Sequence, residues 1–457
     1  MNTETTISQP PLVTKASNNA VEKKRDTKRI GIWVCSSLVV GNMIGSGIFL
    51  LPASLGQYGP ISLFGWLITG VGSIILALVF ARLTLQSAKN GGPFAYAQAG
   101  FGDLAGFFVA WGHWIAAWTG NAALAVAFIS YLTVFFPVLK TDSLMAIGAT
   151  MAVVWGLFFV NLRGVKAVGA IQLATTILKI LPLLAFATIG FAYFEPANFA
   201  DVNTSEESNI TAIFATCALT LWAFLGLESA TVPAGNVDNP RRTIPRATVF
   251  GTGFVAIIYL LVSISIYGIM TPAELQASNA PFADAAQRVW GSWGFYFVAV
   301  GAVVSCLGSL NGWLLIQAEV PMAAAKAGLF PKVFGKQDSR GRPVAGMFIS
   351  TVLLSLLIMS NFSGDLVDLF TFIILLATLS SLIPYLFCSL ASIMISVIEG
   401  RTSEIEWGKQ LFITIFSFTY VIGAIIGAGQ EVVYWGTILL LASVPVYVWA
   451  RWQRKKS

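Results

Sequence analysis

Long apolar runs recur along the whole of this chain, and they constrain its fold more than any other feature. Read with a window of about 19 residues, they fall at roughly 30–57, 61–85, 101–136, 143–162, 168–194, 209–235, 247–271, 289–325, 343–361, 366–397, 409–428 and 431–450. About 20 residues in a helix already cross a hydrocarbon layer, so the third and eighth runs require strong tilt. Open sheet cannot lie in lipid, and unbroken runs lack the alternation of a barrel strand, so the twelve spans are predicted to be helices. Only 11% of the 457 residues are charged, against roughly 25% in a soluble domain. Lipid is therefore the expected solvent for most of the chain.

Lysine and arginine set the sidedness. With the N-terminus in the cytoplasm, every one of them falls on the cytoplasmic side except Lys140, Lys179 and Arg288, as the positive-inside rule demands. Both termini are expected inside the cell. The net charge of +6 sits in short clusters between spans, which is the pattern of topogenic signals and gives no reason to expect nucleic-acid binding. Residues 1–29 are polar, hold six of the basic residues and lack a signal-peptide apolar core, so they are expected to be a disordered cytoplasmic tail. Cys35, Cys217, Cys306 and Cys388 lie singly in apolar stretches without ligand spacing, which predicts neither a disulfide nor a metal site.

Two spans contradict the propensities of a simple helix. VVGNMIGSGIFLLP has Gly41, Gly45 and Gly47 followed by Pro52, and should unwind near Gly45-Ser46-Gly47. LWAFLGLESATVPAG has Gly226, Glu228, Pro233 and Gly235, and should break near Gly226. They lead two five-helix blocks, 30–194 and 209–397, and matching interrupted helices in two halves point to a transporter's site near the midplane. Unwinding frees N–H groups at the start of one half-helix for a carboxylate and carbonyls at the end of another for an ammonium. A zwitterion such as an amino acid offers both charges. The plainer reading is that these glycines only allow close helix packing.

The stretches GNMIGSGIFLLPASL, GGPFAYA, WTGNAALAV, LWAFLGLESA with NPRRTIPRA, CLGSLNGW and LIPYL resemble the amino acid-polyamine-organocation superfamily. The likeness runs from about residue 30 to about residue 450. It is nearest to the bacterial arginine/agmatine antiporters and their lysine/cadaverine and putrescine/ornithine relatives. The resemblance implies an all-α membrane protein of the bacterial inner membrane with twelve transmembrane helices. Helices 1 and 6 would be discontinuous within a five-plus-five inverted repeat of the leucine-transporter type. Two accessory helices at about 409–450, which often serve a dimer contact, and a short cytoplasmic tail at 451–457 complete the domain.

The resemblance also implies a site. The substrate carboxylate would lie on Ser46 and the backbone of Gly47, and its ammonium on carbonyls of Met43, Trp222 and Leu225. The side chain would stack on Trp313 and reach the Asn121 amide, with Asn42 flanking the broken helix. Trp222 would close over the substrate, and Glu228 with Tyr385 would form a gate toward the cytoplasm. With 14 tryptophans in the chain, Trp222 and Trp313 taken alone read as interface anchors, and Asn121 reads equally as an interhelical hydrogen-bond link. Glu228 differs, since a carboxyl inside a span marks a functional site by default.

Several positions depart from the arginine/agmatine pattern. Ala117 and Ala377 replace small polar residues, Leu124 replaces a thioether, and His113 and Phe94 replace tyrosines. The first three leave fewer polar groups at the substrate's far end. His113 beside Glu228 is expected to make that gate pH-responsive. Lys179 lies about 16 Å into its span by helical rise, where related permeases place a lysine in the position of a bound sodium ion. It reads either as a coupling residue or as a structural lysine held by carbonyls of the first helix, and it argues against sodium coupling.

Exchange of an amino acid for another amino acid or its amine is the leading expectation, with proton-coupled uptake and a non-transporting sensor as alternatives. No enzyme and no cofactor are expected: there is one histidine, no GxxxxGK[ST] run and no GxSxG elbow.

Overall fold

The structure, a computed structural model, describes residues 31–86, 92–163, 165–231, 234, 237–361, 366–402 and 407–455. The predicted tail at 1–29, Lys89, Gly91, Pro233, Gly235 and Lys456 lie outside the described residues. The described residues are helical, with no β-strand among them. Among the described residues, eleven helical stretches are long and apolar enough to cross a membrane. Val344–Ser360, where the ninth span is predicted, is apolar but shorter than that set. The chain is a multi-pass membrane protein.

The first span is two helices, α1 (Ile32–Met43) and α2 (Ser46–Gly56). Between them Ile44 is extended and Gly45 is neither helical nor extended. Pro52 does not end the span. It lies inside α2. Next come α3 (Ser62–Gln86), α4 (Pro93–Phe101), α5 (Asp103–Leu132), α6 (Ser143–Asn161) and α7 (Val165–Thr188).

The sixth span begins as α8 (Asn209–Leu221) and loses its α-helical path at Trp222–Phe224, a 3-10 turn. Leu225 is then extended, and Gly226 has φ +100°, a conformation that L side chains rarely adopt. The chain continues with α9 (Pro240–Ile269), α10 (Pro281–Trp290), α11 (Ser292–Lys326), α12 (Val344–Asn361), α13 (Leu366–Ile398), α14 (Trp407–Gly427), α15 (Gln430–Leu441) and α16 (Ser443–Lys455).

The seventh span starts at Pro240, seven residues before the predicted 247. Arg241, Arg242 and Arg246 lower the local hydropathy, so an apolar window opens too late. The better signal is Asn239-Pro240, because proline at the first helical position lacks only an N–H that would be unpaired there anyway. At 30 residues α5 is about 45 Å long, and nearly all of its residues from Ala105 to Tyr131 are buried. It packs along α13 and α11, while α3 packs along α8 and α9. Large apolar side chains such as Phe250, Phe412, Ile426 and Leu441 face outward. That is the arrangement expected where lipid, rather than water, covers the surface.

Candidate functional site

The two helix breaks face each other across a cavity of about 20 Å³, room for roughly one water. Asn42, Met43, Gly45, Ser46, Gly47, Ala116, Gly120, Leu124, Trp222, Leu225, Trp313 and Ser381 line it. None of these is charged. A molecule the size of an amino acid would have to part these walls.

The walls meet because glycines remove Cβ atoms where backbones approach. A Cβ on Gly47 would lie 2.9 Å from Ala223 Cβ and 3.2 Å from Trp222 Cδ1. One on Gly120 would lie 3.0 Å from the Trp222 ring, and one on Gly226 would lie 3.0 Å from Asn42 Cβ. Ser46 and Gly47 form the first turn of α2, where helix N–H groups have no intrahelical acceptor. Ser46 is fully buried, and its hydroxyl has no hydrogen-bond partner among the described residues. This end of the cavity therefore presents donors and a positive helix dipole.

The opposing end of α1 presents carbonyls, and several are occupied. Tyr259 Oη donates to the Met43 carbonyl at 2.8 Å and lies 3.3 Å from that of Ala223. Ser309 Oγ donates to Ile44 O at 3.1 Å, and Trp313 Nε1 to Asn42 O at 3.4 Å. Asn42 Nδ2 donates to Ser229 Oγ at 2.9 Å, tying the first break to the second. Lys179, fully buried, donates to the Gly41 carbonyl and to Ser309 Oγ at 3.2 Å. Its ammonium thus sits at the C-terminal, negative end of the α1 dipole, on a carbonyl that the helix break leaves without its i+4 amide.

Beside the cavity, Tyr385 Oη donates to Glu228 Oε2 at 2.8 Å. His113 Nε2 is 3.7 Å from Glu228 Oε1, a close contact longer than a hydrogen bond. All three are buried. The structure therefore brings Asn42, Met43, Ser46, Gly47, Trp222, Leu225 and Trp313 to one cavity and His113, Glu228 and Tyr385 to one cluster. Two singled-out residues do not reach the cavity. Asn121 is fully buried and donates to Gln317 Oε1 at 2.8 Å, while Gln317 donates on to Thr351 at 3.2 Å, linking α5, α11 and α12. Ala377 is fully buried, and Ser381, one turn further along α13, lines the cavity in its place.

Sequence reasoning missed Tyr259, Ser309 and Gln317. Each is a polar side chain inside an apolar run, and that is the one signal by which they could have been found.

The model of a family described as amino acid permease matches residues 30–449. The chain is 37% identical over 369 residues to a cadaverine/lysine antiporter of Escherichia coli, covering 79% of this chain and 82% of the relative. It is 34% identical over 425 residues to an arginine/ornithine antiporter of Pseudomonas aeruginosa, covering 89% and 88%. With the putrescine transporter PotE of Haemophilus influenzae it shares 32% over 424 residues, covering 92% and 97%.

Proposed function

The chain belongs to the amino acid permease family, and from that premise we propose that it exchanges amino acids, or an amino acid for an amine, across the bacterial inner membrane by alternating access. The substrates named for its relatives are lysine, arginine, ornithine, cadaverine and putrescine. All carry a long cationic arm, and this chain's substrates are placed in the same class, with arginine/agmatine exchange as one member. The observation that carries the reading is the buried, unpartnered Ser46 hydroxyl in the first turn of α2, aimed at a cavity bounded by Met43 and Trp313. Ser46 and Gly47 would take the carboxylate and the Met43, Trp222 and Leu225 carbonyls the ammonium, with Trp313 stacking on the arm. Asn121, linked to Gln317, and Ala377 would shape the pocket from behind.

Twelve helices in two inverted halves, both termini in the cytoplasm and homodimer pairing through α14–α16 complete the proposal. The gate cluster of His113, Glu228 and Tyr385 would lie between this cavity and the cytoplasm, with Trp222 closing the opposite side. The test is counterflow in proteoliposomes with radiolabelled arginine and lysine, competed by a panel of amino acids and amines. Exchange that requires internal amino acid or amine supports the proposal, and uptake into empty vesicles refutes it. One observation favours proton-coupled uptake as a second reading. Lys179 is an ionisable group buried on the broken first helix, as a coupling residue would be. A pH gradient driving uptake into empty vesicles would select that reading.

A further inference from the structure

A second cavity, of about 190 Å³, shares no residue with the first. It lies where the C-terminal ends of α6 and α11 meet the segment leading into α12, and Asn161, Arg163, Glu319, Arg340 and Arg342 supply its polar lining. By the proposed orientation this is the cytoplasmic interface.

Its polar groups are unevenly spent. Arg342 is held by Asp338, with Nε 2.6 Å from Oδ2, and Asp338 Oδ1 also accepts the backbone N–H groups of Arg340 and Arg342 at 2.9 Å. The loop that presents Arg340 is thereby fixed. The guanidinium groups of Arg163 and Arg340 have no carboxylate within ion-pair distance among the described residues. The Glu319 carboxylate makes no hydrogen bond or close ion pair there, and the one cation that bears on it is Lys326, two turns further along α11. Asn161 is 2% exposed, and its Nδ2 donates to Leu157 O at 3.0 Å and Asn311 Oδ1 at 3.1 Å. Its Oδ1 is buried and accepts from nothing among the described residues.

Two free guanidinium groups in the lining call for an anion, and a fork of N–H donors suits a phosphate. The Glu319 carboxylate in the same lining, without a hydrogen bond, calls for a donor on the same ligand. A phosphodiester with an ammonium or hydroxyl arm supplies both. The flank favours a lipid as its source. Phe159 on α6 and Phe348 on α12 are 61% and 50% exposed on the outward apolar surface, and Phe348 packs with Trp155 at 5.8 Å between ring centres. Basic pockets between helix ends on the cytoplasmic side are suited to phospholipid head groups.

We infer that this cavity holds the head group of an inner-leaflet phospholipid. The phosphate lies on Arg163 and Arg340, the donor arm on Glu319, and the acyl chains along Phe159 and Phe348. Thermal unfolding of the full chain in detergent tests it, with phosphatidylethanolamine, phosphatidylglycerol, phosphatidylcholine and inorganic phosphate as separate additions. The first two should raise the midpoint saturably, by about 3 °C or more. Phosphatidylcholine, whose arm has no donor, should do markedly less. The doubly substituted Arg163→Gln, Arg340→Gln protein should lose the rise. Retention of the rise by that variant, an equal rise with phosphatidylcholine, or its reproduction by inorganic phosphate alone would overturn the inference. Native mass spectrometry of the unaltered protein offers a readout independent of the variant. Phosphatidylethanolamine should remain bound in competition with phosphatidylcholine, and equal retention of both would again overturn the inference.

Discussion

Tyr259 places its hydroxyl 2.8 Å from the Met43 carbonyl, so a side chain of the seventh span occupies the end of α1 where the break leaves carbonyls open. The same hydroxyl lies 3.3 Å from the Ala223 carbonyl in the break of the sixth span. One proton cannot serve both at full strength. Tyr259 therefore acts as a stand-in donor that holds the two interrupted spans together while the cavity is closed.

If so, a substrate ammonium and Tyr259 compete for the Met43 carbonyl. Tyr259→Phe removes the stand-in and should destabilise the closed, empty protein by about 1 kcal/mol. The same difference should tighten apparent substrate affinity up to about 5-fold. Thermal unfolding without substrate and equilibrium binding, measured together, check this. Lowered stability with weakened binding would show instead that Tyr259 is purely structural.

Gly47 is a second point of contact between the breaks. A methyl group there would stand 2.9 Å from Ala223 Cβ and 3.0 Å from its Cα, and that backbone is not free to yield. Gly47→Val should abolish binding, and Gly47→Ala should reduce it strongly, with both proteins inserted normally. Unchanged affinity in Gly47→Val would remove the first turn of α2 from the site.

The two breaks were legible in the sequence because glycine and proline are costly inside a helix, so their clustering in two spans carries information. Lys179, Glu228 and His113 were legible because ionisable groups inside spans are rare. Their partners were not. Lys179 meets Gly41 from 138 residues away, and Asn121 meets Gln317 from 196 residues away, and no local periodicity encodes such pairings. Nor could the sequence say that Asn121 turns its amide to Gln317 while Ser381 takes a place on the cavity wall. Those outcomes depend on which faces of α5, α11 and α13 meet.

Trp313 separates a stacking role from a packing one. Its Nε1 donates to Asn42 O at 3.4 Å while the side chain lines the cavity. Trp313→Leu keeps an apolar surface but removes the ring quadrupole. A cationic substrate should then lose up to about 2 kcal/mol, or about 30-fold in affinity, and a neutral aliphatic one much less. Competition binding with arginine and leucine reads the difference, and equal losses would make Trp313 a packing residue.

Outside the spans, Glu274 caps Pro272–Gln276 through Thr271 and pairs with Arg288. The hydrogen bond from Arg288, aided by Thr271, holds its carboxyl at about 2, well below the ordinary 4.5. A depressed carboxylate stabilises the fold at pH above its unfolded value, and that contribution is lost as pH falls through the folded value. The unfolding midpoint of the native protein should therefore exceed that of Glu274→Gln above pH 4.5, with the gap closing as pH falls toward about 2. The pair is half exposed, so the gap should be small. A gap that widens with acid would contradict the assignment.

The last prediction concerns Glu228, which has two different neighbours. Tyr385 makes a direct hydrogen bond to one oxygen, whereas His113 stands 3.7 Å from the other. The tyrosine bond requires no change of protonation, but the histidine contact becomes an ion pair only when the imidazole is charged. The two substitutions should accordingly have different signatures. Tyr385→Phe removes a buried hydrogen bond and should alter exchange by a similar factor at every pH. His113→Phe should flatten the pH dependence of exchange while leaving substrate binding nearly intact, because His113 does not line the cavity. Glu228→Gln should flatten it as well. A histidine and a carboxylate acting as one unit cannot each be removed at full cost, so the His113→Phe, Glu228→Gln double variant should be non-additive. Exchange rates across a pH series for the two single variants and the double variant decide the matter. Strict additivity would mean that His113 and Glu228 act separately and that the cluster is not a proton-responsive gate.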